Sequence, residues 1–371
     1  MGKSTKEILE EHSKSKVELL NVYLGMYLNI LERVKHIKTV LYLDLFAGEG
    51  IYKDGSKGSS ITAIETFYKH LEDNNLSSKE YKIFLNDSEK SIIEKNIYKV
   101  DRIKSLIDNK RQVANLIIKY EKLSFSELLP KLIDRFKKLT YQEKALVFID
   151  PWGYKDINPS ELKKLLSNDN VEVLLFIPIF YMYRFAVKTI RDDFPEGKAI
   201  KYFLNELFSG EIPDISSAKK LINNIKIKFK RYMEIPYVQT FVIERDKTNV
   251  YCLFFFTHNK LGYQKMVEAK WRIDKNSGRG FKGITDPSFF EEYEAANLVD
   301  KILKFIDLSD GKTNEELKDF GYDLEFLPRD VNKCLNKLFK ENKITRISLD
   351  GKDVNGFYLE DKSRTILVKI I

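Results

Sequence analysis

Between Val40 and Ile177 the chain alternates five short apolar runs with four stretches in which apolar residues recur at helical spacing. The runs are Val40–Phe46, Lys82–Asn86, Val113–Lys119, Ala145–Ile149 and Val171–Ile177, and the segments between them are Ser59–Leu71, Ser88–Tyr98, Ser126–Lys138 and Pro159–Leu166. Runs without polar alternation are the mark of strands buried on both faces, and strands alternating with helices imply βαβ units and a parallel sheet. The pattern then changes. A Lys-rich helical stretch at 195–236 leads to two strands, Tyr237–Glu244 and Val250–Thr257, joined by five residues. A parallel crossover needs a dozen residues or more, so these two strands must form an antiparallel hairpin. Ahead of the first strand, Lys16–Val34 repeats apolar residues at helical spacing.

After residue 275 the character shifts again. Lys275–Ser288 holds three glycines and a proline and reads as a linker. Beyond it the spacing predicts helices at Phe289–Leu308, Thr313–Phe320 and Pro328–Asn342, then strands at Ile344–Leu349 and Gly356–Glu360. Three helices followed by a hairpin describe a winged helix. The predicted organisation is therefore an N-terminal helical segment (1–38), an α/β domain (39–275) with a basic helical insertion (195–236), a linker (276–288) and a winged-helix domain (289–371). The fold class expected is a Rossmann-like α/β sheet of the class I methyltransferase type, in which parallel strands are closed by an antiparallel hairpin.

Composition removes several function classes. Two cysteines, Cys252 and Cys334, cannot build a disulfide framework or a thiolate zinc site. The four histidines share no HxH or HExxH spacing, so no metal is expected. The start of the chain lacks the apolar core of a signal peptide. The longest apolar run, Val171–Val187, contains Glu172, Pro178 and Arg184 and is shorter than the roughly 20 residues that span a bilayer. A cytoplasmic protein with no membrane partner is expected. Net charge is +8, but residues from Phe290 onward carry 14 Lys/Arg against 17 Asp/Glu, so the basic excess belongs to the first part. That part is the electrostatic candidate for a polyanion such as DNA or RNA.

Three strand ends carry residues with chemical potential. The first reads Asp44-Leu45-Phe46-Ala47-Gly48-Glu49-Gly50. A dinucleotide fingerprint would need glycine at position 53, where Lys53 stands, and a Walker A loop would need GK[ST] where this chain has Gly55-Ser56-Lys57-Gly58. A nucleotide-dependent oxidoreductase is disfavoured on the same ground. D-x-F-x-G-x-G is instead a form that binds S-adenosylmethionine (SAM): Asp44, Ala47, Gly48 and Gly50 would handle its methionine end, and Phe46 would pack against it. The second strand ends at Asn86-Asp87, where a carboxylate can accept both ribose hydroxyls of an adenosine. The fourth ends Asp150-Pro151-Trp152-Gly153. Asp150, Pro151 and Trp152 are the candidate catalytic residues: the Asp150 carboxylate and a backbone carbonyl would accept the hydrogens of a planar amine while Trp152 stacks on its ring. The plain alternatives are a Gly turn, a helix N-cap at Asp87 and an Asp-Pro turn.

Two basic faces complete the set. Lys219, Lys220, Lys226, Lys228, Lys230 and Arg231 occupy one acid-free stretch interleaved with apolar residues, as suits phosphate contacts. In the tail, Arg329, Lys333 and Lys337 share a helix face opposite Val331, Leu335 and Leu338, where a winged helix would enter the major groove.

The segments YLDLFAGEG (42–50), DGSKGSS (54–60), FIDPWGY (148–154) and LGYQKMVEAKW (261–271) together resemble the three-Cys-motif partner protein (TcmP) family, over roughly residues 12–275. Glu49 and Ser60 stand where that family's pattern has proline. The resemblance implies a class I methyltransferase-like fold, SAM as cofactor and a partner protein bearing three cysteines, a radical-SAM-like companion. The expected function is methyl transfer to an exocyclic amine of a nucleobase in DNA or RNA. The alternative is a catalytically degenerate fold serving as a binding module for nucleic acid or for its partner.

Overall fold

The computed structural model describes residues 7–75, 77–108, 113–151, 153–182, 197–211, 213–214, 216–246, 249–275, 278, 280–282, 295–307, 310–348, 351–352, 354, 359–360 and 365–371. They fall into two compact units. The first comprises residues 1–269 with 279–284, the second 270–278 with 285–371.

The first unit is built on an eight-stranded, mostly parallel sheet. In chain order the strands are β1 (Thr39–Asp44), β2 (Glu80–Asn86), β3 (Leu116–Glu121), β4 (Glu143–Ile149), β5 (Val171–Ile177), β6 (Tyr237–Asp246), β7 (Asn249–Thr257) and β8 (Gly280–Lys282). Their spatial order is β3-β2-β1-β4-β5-β7-β6-β8. β1 to β5 run parallel, β7 is antiparallel to β5, and β6 is antiparallel to β7. The expected parallel set closed by an antiparallel pair is thus present, with the second hairpin strand inserted against β5. Burial follows position. Every residue of β5 is buried, as are the last five of β1, whereas edge strand β3 alternates between half-buried and exposed residues. β8 pairs parallel with β6, so residues 280–282, expected in a linker, extend the sheet.

Helices cover the faces: α1 (Glu11–Arg33), α2 (Ser59–Asp73), α3 (Lys99–Ile107), α4 (Phe125–Phe136), α5 (Pro159–Leu165), α6 (Lys198–Phe208), α7 (Ala218–Met233) and α8 (Lys260–Ile273). α4 starts at a capping box between Ser124 and Glu127, and α5 at Asn158, whose side chain accepts the Ser160 and Glu161 amides. The helix expected at 88–98 does not form there. Those residues are irregular, because Glu49 takes the Ser91 hydroxyl (2.6 Å) and the Ile92 amide (2.9 Å), while the Ser91 hydroxyl accepts the amides of Ile93 and Glu94. Regular helix begins only at Lys99.

The second unit contains α9 (Ala295–Asp307), α10 (Asn314–Asp323) and α11 (Pro328–Lys340), with β9 (Lys312–Thr313), β10 (Ile344–Ser348) and β11 (Ile366–Ile370). The strands form an antiparallel sheet in the order β10-β11-β9. Leu298, Ile302, Leu317, Val331, Leu335, Leu338, Ile344, Ile366 and Val368 are its core. The partner of β10 was expected at Gly356–Glu360; it is β11 instead, whose alternating Ile366 and Val368 point inward, and Leu359-Glu360 lie in a turn. Residues 356–358 of that expected strand lie outside the described residues. Among the described residues no helix is long and apolar enough to cross a membrane, and no group of three His, Cys, Asp or Glu is placed to hold a metal ion.

Candidate functional site

Because β1, β2 and β4 run parallel, their carboxyl ends lie side by side and deliver Asp44, Asp87 and Asp150 to one end of the sheet. A cavity of about 570 Å³ opens there. Phe46, Ala47, Gly48, Asp87, Asp150 and Pro151 line it. Trp152, expected beside them, lies outside the described residues.

Gly48 adopts φ +65°, a left-handed conformation open to glycine, and its amide donates to Asp87 Oδ2 at 3.0 Å. The Glu89 amide donates to Asp87 Oδ1 at 2.9 Å. This carboxylate therefore closes a local turn and does not cap a helix. Two donors leave it acceptor capacity for two more, the number a ribose diol brings. The Lys99 ammonium stands 3.7 Å from Asp87 Oδ2 and also pairs with Glu89. Burial pushes the Asp87 carboxyl above the usual carboxylate value, and the Lys99 charge opposes that.

Asp44 and Gly50 were expected to touch a cofactor, and neither lines the cavity. Asp44 is fully buried, accepting the Ser59 hydroxyl at 2.6 Å and the Phe46 amide at 3.3 Å. Burial raises its carboxyl to about 7 against the pull of Ser59. Its work is to hold the β1 loop and Ser59, which does line the cavity. Gly50 (φ +75°) packs close, since a Cβ there would lie 2.8 Å from Ile103 Cγ1, and its carbonyl accepts the Gly58 amide at 2.7 Å. Both departures from the family pattern have structural partners. Glu49, 1% exposed, ties down the 88–98 loop, and the Ser60 hydroxyl donates to the Ala47 carbonyl at 2.9 Å.

The rest of the lining comes from residues with no motif to announce them. Lys16, on the buried face of α1 with His12, Leu19 and Tyr23, forms an ion pair with Asp150 Oδ2. Its Nζ also lies 4.4 Å above the Phe176 ring centroid. Tyr251 stacks on Phe176 (centroids 5.2 Å apart) and His12 stacks on Tyr251 (4.9 Å), building an aromatic ladder along the cavity. Phe180 meets Tyr251 edge-on. Arg245, paired with Glu10 at 3.3 Å, also lines the cavity. Tyr52 lines the cavity too, and burial and the Asp150 charge both push its phenol upward. The one sequence signal for Lys16 was a cation on the apolar stripe of an amphipathic helix; the aromatic ladder had none.

The basic residues of α7 sit opposite its buried Leu221, Ile225 and Phe229. Lys219, Lys220, Lys230 and Arg231 are exposed, while Lys226 and Lys228 are half-buried. Lys228 pairs with Glu211 (2.5 Å) and Lys220 with Asp214 (3.4 Å). On α11, Arg329, Lys333 and Lys337 are exposed, each with a carboxylate 3.8–3.9 Å away. Arg329 also lies 5.9 Å from the Trp271 ring of the same unit.

No family model matches the chain, and no curated protein matches it. Among solved structures, a protein of Legionella pneumophila str. Philadelphia 1 of family model DUF519 is similar at 13% identity, covering 74% of this chain and 95% of that one with a TM-score of 0.42. A loganic acid methyltransferase with SAH is similar at 9% identity, covering 70% of this chain and 99% of that one with a TM-score of 0.29. At those scores neither likeness carries weight for the reading of the site.

Proposed function

We propose that the chain is a SAM-dependent methyltransferase acting on an exocyclic amine of a nucleobase in DNA or RNA, alongside a three-Cys-motif partner protein. The observation that carries this reading is the shared cavity: a left-handed Gly48 turn, a ribose-competent Asp87 and an Asp150 carboxylate face one space at the carboxyl ends of parallel strands. The sheet, five parallel strands closed by an antiparallel pair, is the arrangement the family resemblance implies.

The residues present fit such a cofactor. Asp87 keeps acceptor capacity toward the cavity, Phe46 offers a ring stacked on Phe125 (5.2 Å), and the Gly48 turn allows close approach to backbone. When bound, SAM would supply a methyl group on an electrophilic sulfonium; the amine lone pair would form the new C–N bond, the S–C pair would stay on sulfur, and one amine proton would leave to solvent. Asp150 accepts an N–H of the acceptor amine and so aims the nitrogen lone pair, and the aromatic ladder gives a planar base an apolar wall. The exposed cations of α7 hold the phosphate backbone. We read the second unit as a winged helix, supported by its helix order and three-stranded sheet, with α11 presenting Arg329, Lys333 and Lys337.

Calorimetry with SAM and SAH tests the cofactor, and labelled SAM incubated with total RNA or genomic DNA, with and without the three-Cys partner, tests the reaction. No heat from folded protein would reject the reading.

A further inference from the structure

At the Lys16–Asp150 pair one of the chain's own side chains meets the carboxylate assigned to the acceptor. The geometry points to Lys16 as a specificity-determining residue that restricts the acceptor subsite to neutral amines and rejects alkylammonium groups such as a lysine side chain. This rests on the methyltransferase reading and names its acceptor class.

Lys16 is anchored where it can do this. It lies on the buried face of α1, its side chain is 11% exposed, and its ammonium is held between Asp150 Oδ2 and the face of Phe176. Asp150 is 21% exposed in its side chain and opens to the same cavity. With Oδ2 given to Lys16, Oδ1 remains for an incoming donor; among the described residues it has no hydrogen-bond partner. The pair carries no net charge. An amine reaching Oδ1 therefore meets a hydrogen-bond acceptor whose negative charge an internal cation already balances.

A neutral amino group on an aromatic ring needs only that acceptor and an apolar surface beside it, which the edges of the stacked Phe176, Tyr251 and His12 rings supply. An alkylammonium brings a second positive charge beside the Lys16 Nζ, and like charges in a partly desolvated site repel. Lys16 thus acts by exclusion, a form of discrimination achieved against the wrong ligand instead of toward the right one. Arginine at position 16 would keep the charge, whereas methionine would keep most of the stem and remove it.

The test uses the full chain. SAH is titrated first by calorimetry, which reports on the cofactor reading by itself. The SAH-treated protein then receives cytidine, a neutral exocyclic amine unlike the cofactor's adenine, or n-butylamine, a cation at neutral pH. Wild type is expected to bind cytidine at least about ten-fold more tightly than n-butylammonium, with Lys16→Arg keeping that order. Lys16→Met is expected to raise n-butylammonium affinity about ten-fold while changing cytidine affinity much less. Lys16→Gln replaces it should Lys16→Met fail to give native far-UV dichroism. An unchanged ratio in the charge-free variant, equal affinity of wild type for both probes, or binding of neither probe overturns the proposal. An absent SAH signal with the expected probe ratio would instead fault the cofactor assignment and leave Lys16 its role.

Discussion

Asp44 receives the Ser59 hydroxyl at 2.6 Å while its own carboxylate is closed off from solvent. This relationship makes the loop after β1 sensitive to pH. Burial lifts the Asp44 carboxyl from 3.8 to about 7 in the folded chain. A raised carboxyl means that the folded state binds more protons than the unfolded one between those values. Stability contributed by this group is therefore full below pH 4 and falls as pH rises toward 7, by up to about 4 kcal/mol. Asp44→Asn, which keeps the shape and stays neutral, should remove that slope and make the variant the more stable protein at pH 8. Urea unfolding of both proteins at pH 5 and pH 8 checks it; parallel pH dependence in the two would refute it.

Much of this architecture was readable because its physical causes are local. β1, β4 and β5 are buried along most of their length and so appear as mainly apolar runs, and the short link between β6 and β7 allows only a hairpin. The missed elements depend on partners far along the chain. The 88–98 segment is irregular because Glu49 binds it from 42 residues away, and Lys16 finds Asp150 across 134 residues. The same distance effect explains Asp44 and Gly50. A motif identifies the loop, but which of its residues face the cavity and which face Ser59 or Ile103 depends on how α2 and α3 pack against it.

The two glycines of that loop should therefore respond differently to alanine. At Gly48 an added Cβ meets nothing nearer than the Tyr52 hydroxyl at 3.7 Å, so the cost is that of a left-handed backbone, about 1–2 kcal/mol. At Gly50 the same backbone cost is joined by a Cβ 2.8 Å from Ile103 and 3.3 Å from Ile61, adding about 1–3 kcal/mol of overpacking. Thermal melts should rank wild type above Gly48→Ala and Gly48→Ala above Gly50→Ala. Equal melting temperatures for the two variants would contradict the packing role given to Gly50.

Asp87 links the loop and the cavity through its two amide bonds, at 3.0 Å from Gly48 and 2.9 Å from Glu89. Asp87→Ala removes both acceptors of the turn and the ribose partner together. Losing one hydrogen bond to a charged group costs about 1.5–3 kcal/mol, so SAH affinity should fall ten-fold to over a hundred-fold. Asp87→Asn retains an acceptor and should fall less. Calorimetric titration of both variants decides this, and an Asp87→Ala protein that binds SAH as wild type does would remove the ribose role.

The basic face of α7 offers a test that does not depend on catalysis. Lys219, Lys220, Lys230 and Arg231 are exposed on the side of the helix opposite its apolar stripe. If they neutralise backbone phosphates, each contact releases condensed counterions, and the slope of log affinity against log salt steepens by about 0.9 per contact on duplex DNA and by about 0.7 on single strands. Replacing Lys219, Lys220 and Lys230 together with glutamine should reduce that slope by about two to three for duplex binding while leaving the melting temperature nearly unchanged, since exposed charges contribute little to stability. Lys228, half-buried and held by Glu211 at 2.5 Å, should matter less than exposed Lys220, whose pairing with Asp214 is looser at 3.4 Å. Fluorescence anisotropy of a labelled oligonucleotide across a salt series measures both effects, and an unaltered slope in the triple variant would assign the polyanion contact to another surface of the chain.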